Sequence, residues 1–242
     1  MSKEKQKERE LIKKNQELKQ LNEELDAFVY SSSHDLRAPL TSVQGLVSLI
    51  EEETNIQKIY YLNYLIKESI ERLLKVTDDM VDYSRNARTE IEKEEVTLLD
   101  LIDSTIVNHS FVENFHRLKI KIDINNPPEK IFLEKKRFEI LFNNFLSNAI
   151  KYQDTTKEFS YLIITVNFFK ENFELIFEDN GIGIEPVHQE KVFDMFYRAN
   201  AYSLGSGLGL YIVKGIIGKL NGKIDLKSTF QKGTIFTLTF PY

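Results

Sequence analysis

A histidine in the first quarter of the chain could act as a nucleophile. His34 lies within a long helical pattern, is followed by Asp35, and precedes Pro39 by five residues. Because core positions fall at 32 and 36 and each helical residue turns about 100°, the imidazole should point away from the apolar seam. Proline within a helix removes a backbone donor and bends the axis. An exposed imidazole beside such a bend is a candidate reactive site, whereas an isolated histidine would be an ordinary surface residue.

A second set of polar side chains occupies one side of a helical stretch in the middle of the chain. Asn144 and Asn148 lie on that side, and Lys151 and Tyr152 follow one turn later. Two amides and an ammonium could hold phosphates and a hydrated Mg²⁺, an ion that prefers oxygen ligands and retains waters. The alternative is a capped, solvated polar face, which would account for a single asparagine.

A carboxylate and two glycines follow an alternating strand. Asp179 continues the apolar row of Phe173, Leu175 and Phe177, and a carboxylate at that place is costly unless it is paired. The loop at 180–184, Asn-Gly-Ile-Gly-Ile, would let a planar ring approach the backbone. A tight turn capped by the aspartate is the alternative.

Glycine is concentrated in this part of the sequence, since only Gly45 of the ten glycines precedes residue 181. Residues 205–210, Gly-Ser-Gly-Leu-Gly-Leu, open a helical stretch whose free backbone amides could bind an anion. Just before them, Arg198 carries forked donors that suit a phosphate. A glycine-rich hexamer alone is weak evidence for a nucleotide site.

Helices must position the histidine. Apolar residues recur at steps of three and four on both sides of it, and the two series join through a stutter, which locally unwinds a coiled coil. A second series begins after a break at 52–55, so the sequence predicts a helical hairpin. Its apolar face is too wide for two helices to bury, and two chains should form a four-helix bundle; the alternative is that this face packs on a second domain. The predicted seam contains Leu18, Leu21, Leu25, Phe28, Ser32, Leu36, Leu40, Val43, Val47 and Ile50, then Ile59, Leu62, Ile66, Ser69, Leu73, Val76, Met80 and Tyr83.

The second half of the sequence predicts a different architecture. Helices together with mostly antiparallel strands indicate an α+β sandwich, with one sheet and the helices on one of its faces. Helices are expected at about 98–114, 135–152 and 208–220, and strands at about 120–124, 161–169, 173–178, 223–228 and 234–240.

The composition narrows the classes of function. At 242 residues the chain fits two domains, and 42% hydrophobic residues supply an ample core. A net charge of -5 with mixed signs argues against nucleic acid as a partner, and the absence of cysteine excludes disulfides and thiolate chemistry. No apolar run is long enough to span a bilayer, so no membrane contact by this segment is expected.

Taken together, these stretches resemble the sequence boxes of two-component sensor histidine kinases. Residues 33–40, Ser-His-Asp-Leu-Arg-Ala-Pro-Leu, resemble the H box, and the helix around Asn144 and Asn148 resembles the N box. Asp179 with its glycines matches the next element, residues 192–198 resemble the F box, and the glycine-rich hexamer stands last. Five elements in the family order and at family-like distances make chance agreement negligible.

This resemblance implies a fold and an activity. The expected fold class is α+β: a helical-hairpin dimerisation domain with an N-terminal coiled coil, followed by an α/β sandwich that binds ATP. The expected enzyme is a protein-histidine kinase that transfers the γ-phosphoryl of Mg²⁺-ATP to His34 and then to an aspartate of a response-regulator receiver domain. Asp35 would orient or deprotonate the imidazole, and Arg37 is the third candidate catalytic residue.

The resemblance also implies a nucleotide site. Asn148 is the expected Mg²⁺ ligand, and Asp179 is the expected acceptor of the adenine amino group. Lys151 and Arg198 are expected to contact phosphate, beneath a lid at 199–204 that is short for the family. The remaining expected residues are Asn144 as a second polar group, Tyr152 as a wall beside the adenine, and Gly181, Gly183, Phe193, Phe196, Gly205, Ser206, Gly207, Leu208, Gly209 and Leu210.

The sequence pattern and this resemblance together predict the domain boundaries, the oligomeric state and the cellular location. Residues 1–28 would be a coiled-coil signalling helix, 29–90 the dimerisation and phosphotransfer domain, 91–95 a linker and 96–242 the ATP-binding domain. A cytoplasmic homodimer is expected, either as such or as the cytosolic part of a larger, membrane-anchored sensor.

Two other functions compete with a kinase. A nucleotide-gated dimerisation module, related by fold to the gyrase and heat-shock-chaperone ATPases, would never phosphorylate His34. Those ATPases carry a glutamate at position 144 to activate water, and an asparagine cannot act as a base. A pseudokinase scaffold would require a defective site, and no core ATP position is missing. His109, His116 and His188 fit no metal spacing and belong to no motif.

One position departs from the pattern of many family members. Ala38 stands where these carry threonine or asparagine, which resembles a device for orienting the water that dephosphorylates the regulator. An alanine methyl cannot form hydrogen bonds, so weak phosphatase activity is expected. The alternative is that alanine merely favours helix next to Pro39 and that another group positions the water.

Overall fold

The computed structural model describes residues 3–88, 90–199 and 205–242. Contacts divide the chain into two compact units, Met1–Met80 and Val81–Tyr242. In the described part of the chain, no helix combines the length and the apolar character that crossing a membrane requires.

The first unit is a helical hairpin, as predicted. Helix α1 (Lys3–Glu52) continues through the predicted boundary at 28 and through Pro39. Helix α2 (Ile56–Arg88) follows a short turn, and its residues from Val81 onward belong to the second unit. The Glu53 carboxylate accepts hydrogen bonds from the backbone N–H of Thr54 (3.0 Å) and Asn55 (2.8 Å). The Asn55 side chain accepts from Gln57 N–H at 3.0 Å and so caps the start of α2.

The predicted seam residues are more buried on α2 than on α1. Along α2 the seam positions are the less exposed ones, with Ser69 and Val76 buried, whereas several apolar seam residues of α1 remain open to solvent. The exposed members are Leu18 at 65%, Leu25 at 52%, Leu40 at 50% and Val47 at 43%. A single chain therefore leaves part of its apolar seam uncovered.

The second unit contains a five-stranded sheet in the order β2-β4-β5-β7-β6. Strands β2 and β4 are parallel, and the other neighbours are antiparallel. A separate two-stranded ribbon, β1 paired with β3, was not predicted because two-residue strands carry no readable alternation. The strands are β1 (Glu94–Glu95), β2 (Leu118–Asn125), β3 (Phe132–Leu133), β4 (Ser160–Phe168), β5 (Asn172–Asp179), β6 (Lys223–Thr229) and β7 (Gly233–Pro241).

Four α-helices accompany this sheet in the described residues: α3 (Leu98–His109), α4 (Lys135–Lys151), the single turn α5 (Pro186–Gln189) and α6 (Gly209–Lys219). Helix α3 ends five residues before the predicted end, and a 3-10 turn at Phe115–Arg117 leads into β2. Helix α4 starts where Glu134 accepts a hydrogen bond from Arg137 N–H at 2.9 Å, which satisfies one free amide of its first turn.

An aromatic core joins α4 to the sheet. Phe145 stacks on Phe177 with 4.3 Å between ring centroids, and Phe142 meets the same ring edge-on at 5.7 Å. Phe138 packs against Phe240 at 5.1 Å. Each buried aromatic ring removes a large apolar area from water. Because α4 turns these rings inward, Asn144, Asn148 and Lys151 remain on its less buried side.

Candidate functional site

The carboxylate of Asp179 lies at the end of β5, where it was expected to need a partner. It accepts a hydrogen bond from Gly181 N–H at 2.8 Å, and the backbone N–H of Thr234 also donates to it. Burial raises the pKa of Asp179 to about 6, although these two hydrogen bonds and the charge of Lys157 act in the opposite direction. The structure therefore holds a largely buried carboxylate at the end of β5, with two backbone N–H groups donating to it.

The loop after Asp179 is attached to the C-terminal end of α4. Ile182 N–H donates to the carbonyl oxygen of Tyr152 at 2.9 Å. A Cβ on Gly181 would lie 2.3 Å from that same oxygen, so this approach requires glycine. The contact brings the Asp179 loop to Lys151 and Tyr152, whose side chains are exposed there.

The glycine-rich segment approaches the same helix at Lys151 and, two turns before it, at Asn144. A Cβ on Gly209 would lie 2.3 Å from Oδ1 of Asn144, whose Nδ2 donates to the carbonyl of Ile140 at 2.9 Å. The Cβ position of Gly205 lies 3.8 Å from the Lys151 ammonium. The half-buried Asn148 occupies the same side of α4, between Asn144 and Lys151. An amide, an ammonium and the start of α6 thus converge, as an anion site requires.

Hydrogen bonds also shape the glycine-rich segment itself. Leu208 N–H donates to Oγ of Ser206 at 3.1 Å, and both residues are buried. Gly207 has a φ of 72°, and Gly183 in the earlier loop has a φ of 67°. Leu210 lies in the first turn of α6, half-buried.

The F-box segment is anchored to the sheet and to the glycine-rich segment. Phe193 meets Phe236 edge-on at 6.4 Å, and Arg198 donates to the carbonyl of Gly205 at 3.4 Å. Phe196 adopts a positive φ of 60°, which is uncommon for a residue with a side chain. The expected lid at 199–204 lies outside the described residues apart from Ala199.

His34 is exposed on α1, as predicted, with 72% of its side chain open to solvent. Its Nδ1 lies 3.3 Å from Oδ1 of Asp35. A proton on Nδ1 shared with that carboxylate leaves the lone pair on Nε2, the nitrogen that could attack. Arg37 and Ala38 are exposed on the following turn.

Two residues near the site escaped the sequence analysis. His188 was assigned to no motif, yet its Nδ1 lies 2.7 Å from the Tyr197 hydroxyl, beside the F box. Lys157 lies in no motif either, and its ammonium is 2.6 Å from the carbonyl oxygen of Asn180. Both contacts join residues from different segments, so no local pattern could have revealed them.

The described residues contain no group of three or more His, Asp or Glu side chains that could hold a metal ion. A divalent cation at this site would therefore need few protein ligands, with oxygens from a bound nucleotide and water completing its shell, as Mg²⁺ commonly accepts. The amide oxygens available on the less buried side of α4 fit that requirement.

Two family models match the chain. The model of the His Kinase A (phospho-acceptor) domain matches residues 24–89, and that of the Histidine kinase-, DNA gyrase B-, and HSP90-like ATPase matches residues 134–242. The first covers the described hairpin around His34, and the second covers the segments that carry Asn144, Asp179 and the glycines.

Individual relatives agree with this assignment. The methanogenesis regulatory histidine kinase FilI of Methanothrix harundinacea is 31% identical over 230 residues, which are 93% of this chain and 25% of FilI. The signal transduction histidine-protein kinase ArlS of Staphylococcus aureus is 36% identical over 231 residues, 88% of this chain and 48% of ArlS. The chain thus spans between a quarter and a half of the length of these relatives.

The fold likewise has solved counterparts. A structure of the histidine kinase ThkA in complex with the response regulator protein TrrA aligns with a TM-score of 0.70 at 21% identity, over 94% of this chain and 66% of that chain. At this identity the likeness concerns the fold, a helical hairpin followed by an α/β sandwich. With both family models matched in order and relatives above 30% identity, the chain belongs to the two-component sensor histidine kinases.

Proposed function

We propose that this chain binds Mg²⁺-ATP in its second unit, phosphorylates His34, and passes the phosphoryl group to an aspartate of a response regulator. The convergence of Asn144, Lys151, Asp179 and the two glycine segments carries this proposal. It combines a carboxylate acceptor, an ammonium and the N-terminus of α6 around one end of the sandwich. A purine nucleoside triphosphate presents the complementary groups, a base and a phosphate chain.

Each predicted residue of the nucleotide site has a role in this proposal. The Asp179 carboxylate accepts the adenine amino group, while Gly181 and Gly183 allow the ring to approach the backbone. Lys151 and Arg198 contact phosphate, with the glycine-rich segment at the start of α6. Asn148 supplies an oxygen to Mg²⁺, with Asn144 as a second polar group; when bound, the ion neutralises phosphate charge. Tyr152, Phe193, Phe196 and residues 205–210 form the walls of the site.

The chemistry at His34 follows from its contact with Asp35. The carboxylate holds the Nδ1 proton, so neutral Nε2 attacks the γ-phosphorus in line. The N–P bond forms as the bond between the γ-phosphorus and the β–γ bridging oxygen breaks, and ADP leaves. Positioning and charge neutralisation supply most of the rate in such transfers. The phosphohistidine then donates to the carboxylate of the partner regulator.

A water-activating ATPase is the weaker alternative. Position 144 would need a carboxylate, and the amide found there already donates to Ile140 within its own helix. An amide has no basic pKa with which to take a proton from water.

The uncovered seam supports a homodimer. Leu18, Leu25, Leu40 and Val47 are exposed apolar residues at predicted seam positions, and a second copy of the hairpin would cover them. The receiver domain of a response regulator is the second proposed partner, as in the ThkA–TrrA complex.

Incubation with γ-labelled ATP and Mg²⁺, followed by acid and base treatment, tests the activity. The label should be acid-labile and base-stable, as phosphohistidine is. His34→Gln should abolish labelling and leave nucleotide affinity unchanged, because the imidazole and the nucleotide site belong to different units. Acid-labile label retained in that variant would refute the assignment of His34.

A further inference from the structure

Lys157 follows α4 in a loop that no motif includes. Its ammonium lies 2.6 Å from the carbonyl oxygen of Asn180 and 3.4 Å from those of Gly181 and Lys232. The carboxylate of Asp154 lies 3.7 Å from the ammonium, and 28% of the lysine side chain is exposed. The lysine thus joins the loop after β5 to the turn between β6 and β7 mainly through backbone oxygens.

One of these carbonyls belongs to a peptide group that also contacts Asp179. The carbonyl oxygen of Asn180 binds Lys157, and the N–H of the same peptide, on Gly181, donates to Oδ1 of Asp179 at 2.8 Å. Because the peptide group is planar, its two ends are fixed relative to each other. A cation at the oxygen also polarises the N–H, which strengthens the hydrogen bond to the carboxylate.

The side chain of Asn180 attaches the same loop to Phe159 and to Tyr161 of β4. Its Oδ1 accepts from Tyr161 N–H at 2.8 Å, and its Nδ2 donates to the carbonyl of Phe159 at 3.0 Å. The Asn180–Gly181 peptide is therefore clamped between β4 and the ammonium of Lys157. Without the ammonium, the carbonyl oxygen of Asn180 would lose its hydrogen bond to Lys157, and the peptide group would be held less firmly.

We propose that Lys157 is a positioning residue for nucleotide recognition, acting on Asp179 through the peptide group that joins Asn180 to Gly181. This inference rests on the proposed nucleotide site and adds to it a residue outside the family motifs. Lys157 aims the carboxylate and keeps it ionised, so that it can accept the amino group of adenine.

The electrostatic surroundings agree with this role. The positive charge of Lys157 lowers the pKa of Asp179, whereas the neighbouring Glu178 raises it. On the adjacent strand, the Tyr161 hydroxyl contacts Glu178 at 3.3 Å, and burial together with Glu178 and Asp179 raises the pKa of this tyrosine. Among these groups only Lys157 is a cation.

The first measurement needs no nucleotide. The titration of Asp179 can be followed by the NMR chemical shift of its carboxyl carbon in the wild type and in Lys157→Met, which keeps most of the length of the side chain and removes its charge. The midpoint should move upward by about half a unit or more, since an opposite charge is lost nearby. Lys121→Met is the matched control, because Lys121 forms an exposed ion pair with Asp123. An unchanged Asp179 midpoint in Lys157→Met would overturn the inference.

The second measurement uses the absence of cysteine from the chain. In Lys157→Cys the introduced thiol can be alkylated with 2-bromoethylamine, which restores an ammonium, or with 2-bromoethanol, which gives a neutral group of the same length. We expect the amine form to bind ATP within about threefold of wild type, and the hydroxyl form and Lys157→Met to bind roughly tenfold more weakly, as one lost charge-assisted hydrogen bond implies.

Equal ATP affinity of the two alkylated forms would overturn the inference, since a merely structural contact does not depend on charge. Failure of the wild type to bind ATP would instead overturn the proposed nucleotide site. The titration without nucleotide separates these two results.

Discussion

The hairpin and the sandwich use apolar residues differently. In the sandwich, Phe142 and Phe177 are buried by their own chain. In the hairpin, Leu18 and Leu40 occupy predicted seam positions and are 65% and 50% exposed. The chemistry differs in the same way. The candidate nucleotide residues are fixed by contacts between several segments, whereas the exposed side chain of His34 contacts its neighbour in sequence, Asp35. The sandwich buries its aromatic core within the chain, whereas the hairpin leaves apolar seam residues exposed, which we propose a second copy covers.

The largest effect should come from changing the nucleotide site. Asp179→Asn replaces an acceptor of hydrogen bonds by a group that can turn donors toward Gly181 N–H and adenine, and it should weaken ATP binding about 100-fold or more. Asn148→Asp should do the same by disturbing the proposed Mg²⁺ ligand. Calorimetry of ATP binding, with light scattering of the hairpin dimer as the control, checks both. Normal affinity in both variants would show that the site lies elsewhere.

The cores of the two units can be compared by truncation. Phe145→Ala should cost about 3–5 kcal/mol in the second unit, because it removes a buried ring stacked on Phe177. Leu40→Ala should instead weaken the proposed dimer, so the unfolding temperature of the variant should fall further below that of the wild type as protein concentration rises. Leu49→Ala, also on α1 and 56% exposed but outside the predicted seam, is the matched control. If the unfolding temperatures of the wild type, Leu40→Ala and Leu49→Ala were all independent of protein concentration, the result would argue against dimerisation.

The sequence anticipated the parts of each unit that repeat locally. Alternation marked Phe173, Leu175 and Phe177 as one buried row, and helical spacing marked Ser69 and Val76 as buried seam positions. The parallel pairing of β2 with β4, the β1–β3 ribbon and the contacts of Lys157 and His188 were not foreseen. These depend on register and on residues distant in sequence, which a periodic pattern does not contain.

Lowering the pH should raise the folding stability of the second unit and lower its affinity for ATP. Because burial raises the pKa of Asp179 to about 6 from 3.8, the folded state binds its proton more tightly than the unfolded state. This group therefore makes the sandwich more stable as pH falls from about 6 to about 4, by on the order of 2 kcal/mol. ATP affinity should fall over the same range, up to about tenfold per unit below pH 6, because the protonated carboxyl is a poorer acceptor.

Calorimetry between pH 5 and 8 would measure this loss of affinity. The control is a purine nucleoside triphosphate without the 6-amino group. It should bind weakly, and its affinity should depend less on pH. If both nucleotides lost affinity equally on acidification, the phosphates and not Asp179 would be the titrating groups.

The smallest expected effect concerns Ala38, which lies in the hairpin unit near the exposed His34. Ala38 is exposed one turn after His34, and its methyl group can neither donate nor accept a hydrogen bond to water. We expect the chain to phosphorylate its regulator and to dephosphorylate it slowly. Ala38→Thr should speed the decay of phosphorylated regulator in the presence of ADP by about tenfold, roughly the value of one well-placed hydrogen bond. Ala38→Val, which has the shape of threonine without its hydroxyl, is the control. Fast decay with the wild type, unchanged by Ala38→Thr, would mean that another group positions the water.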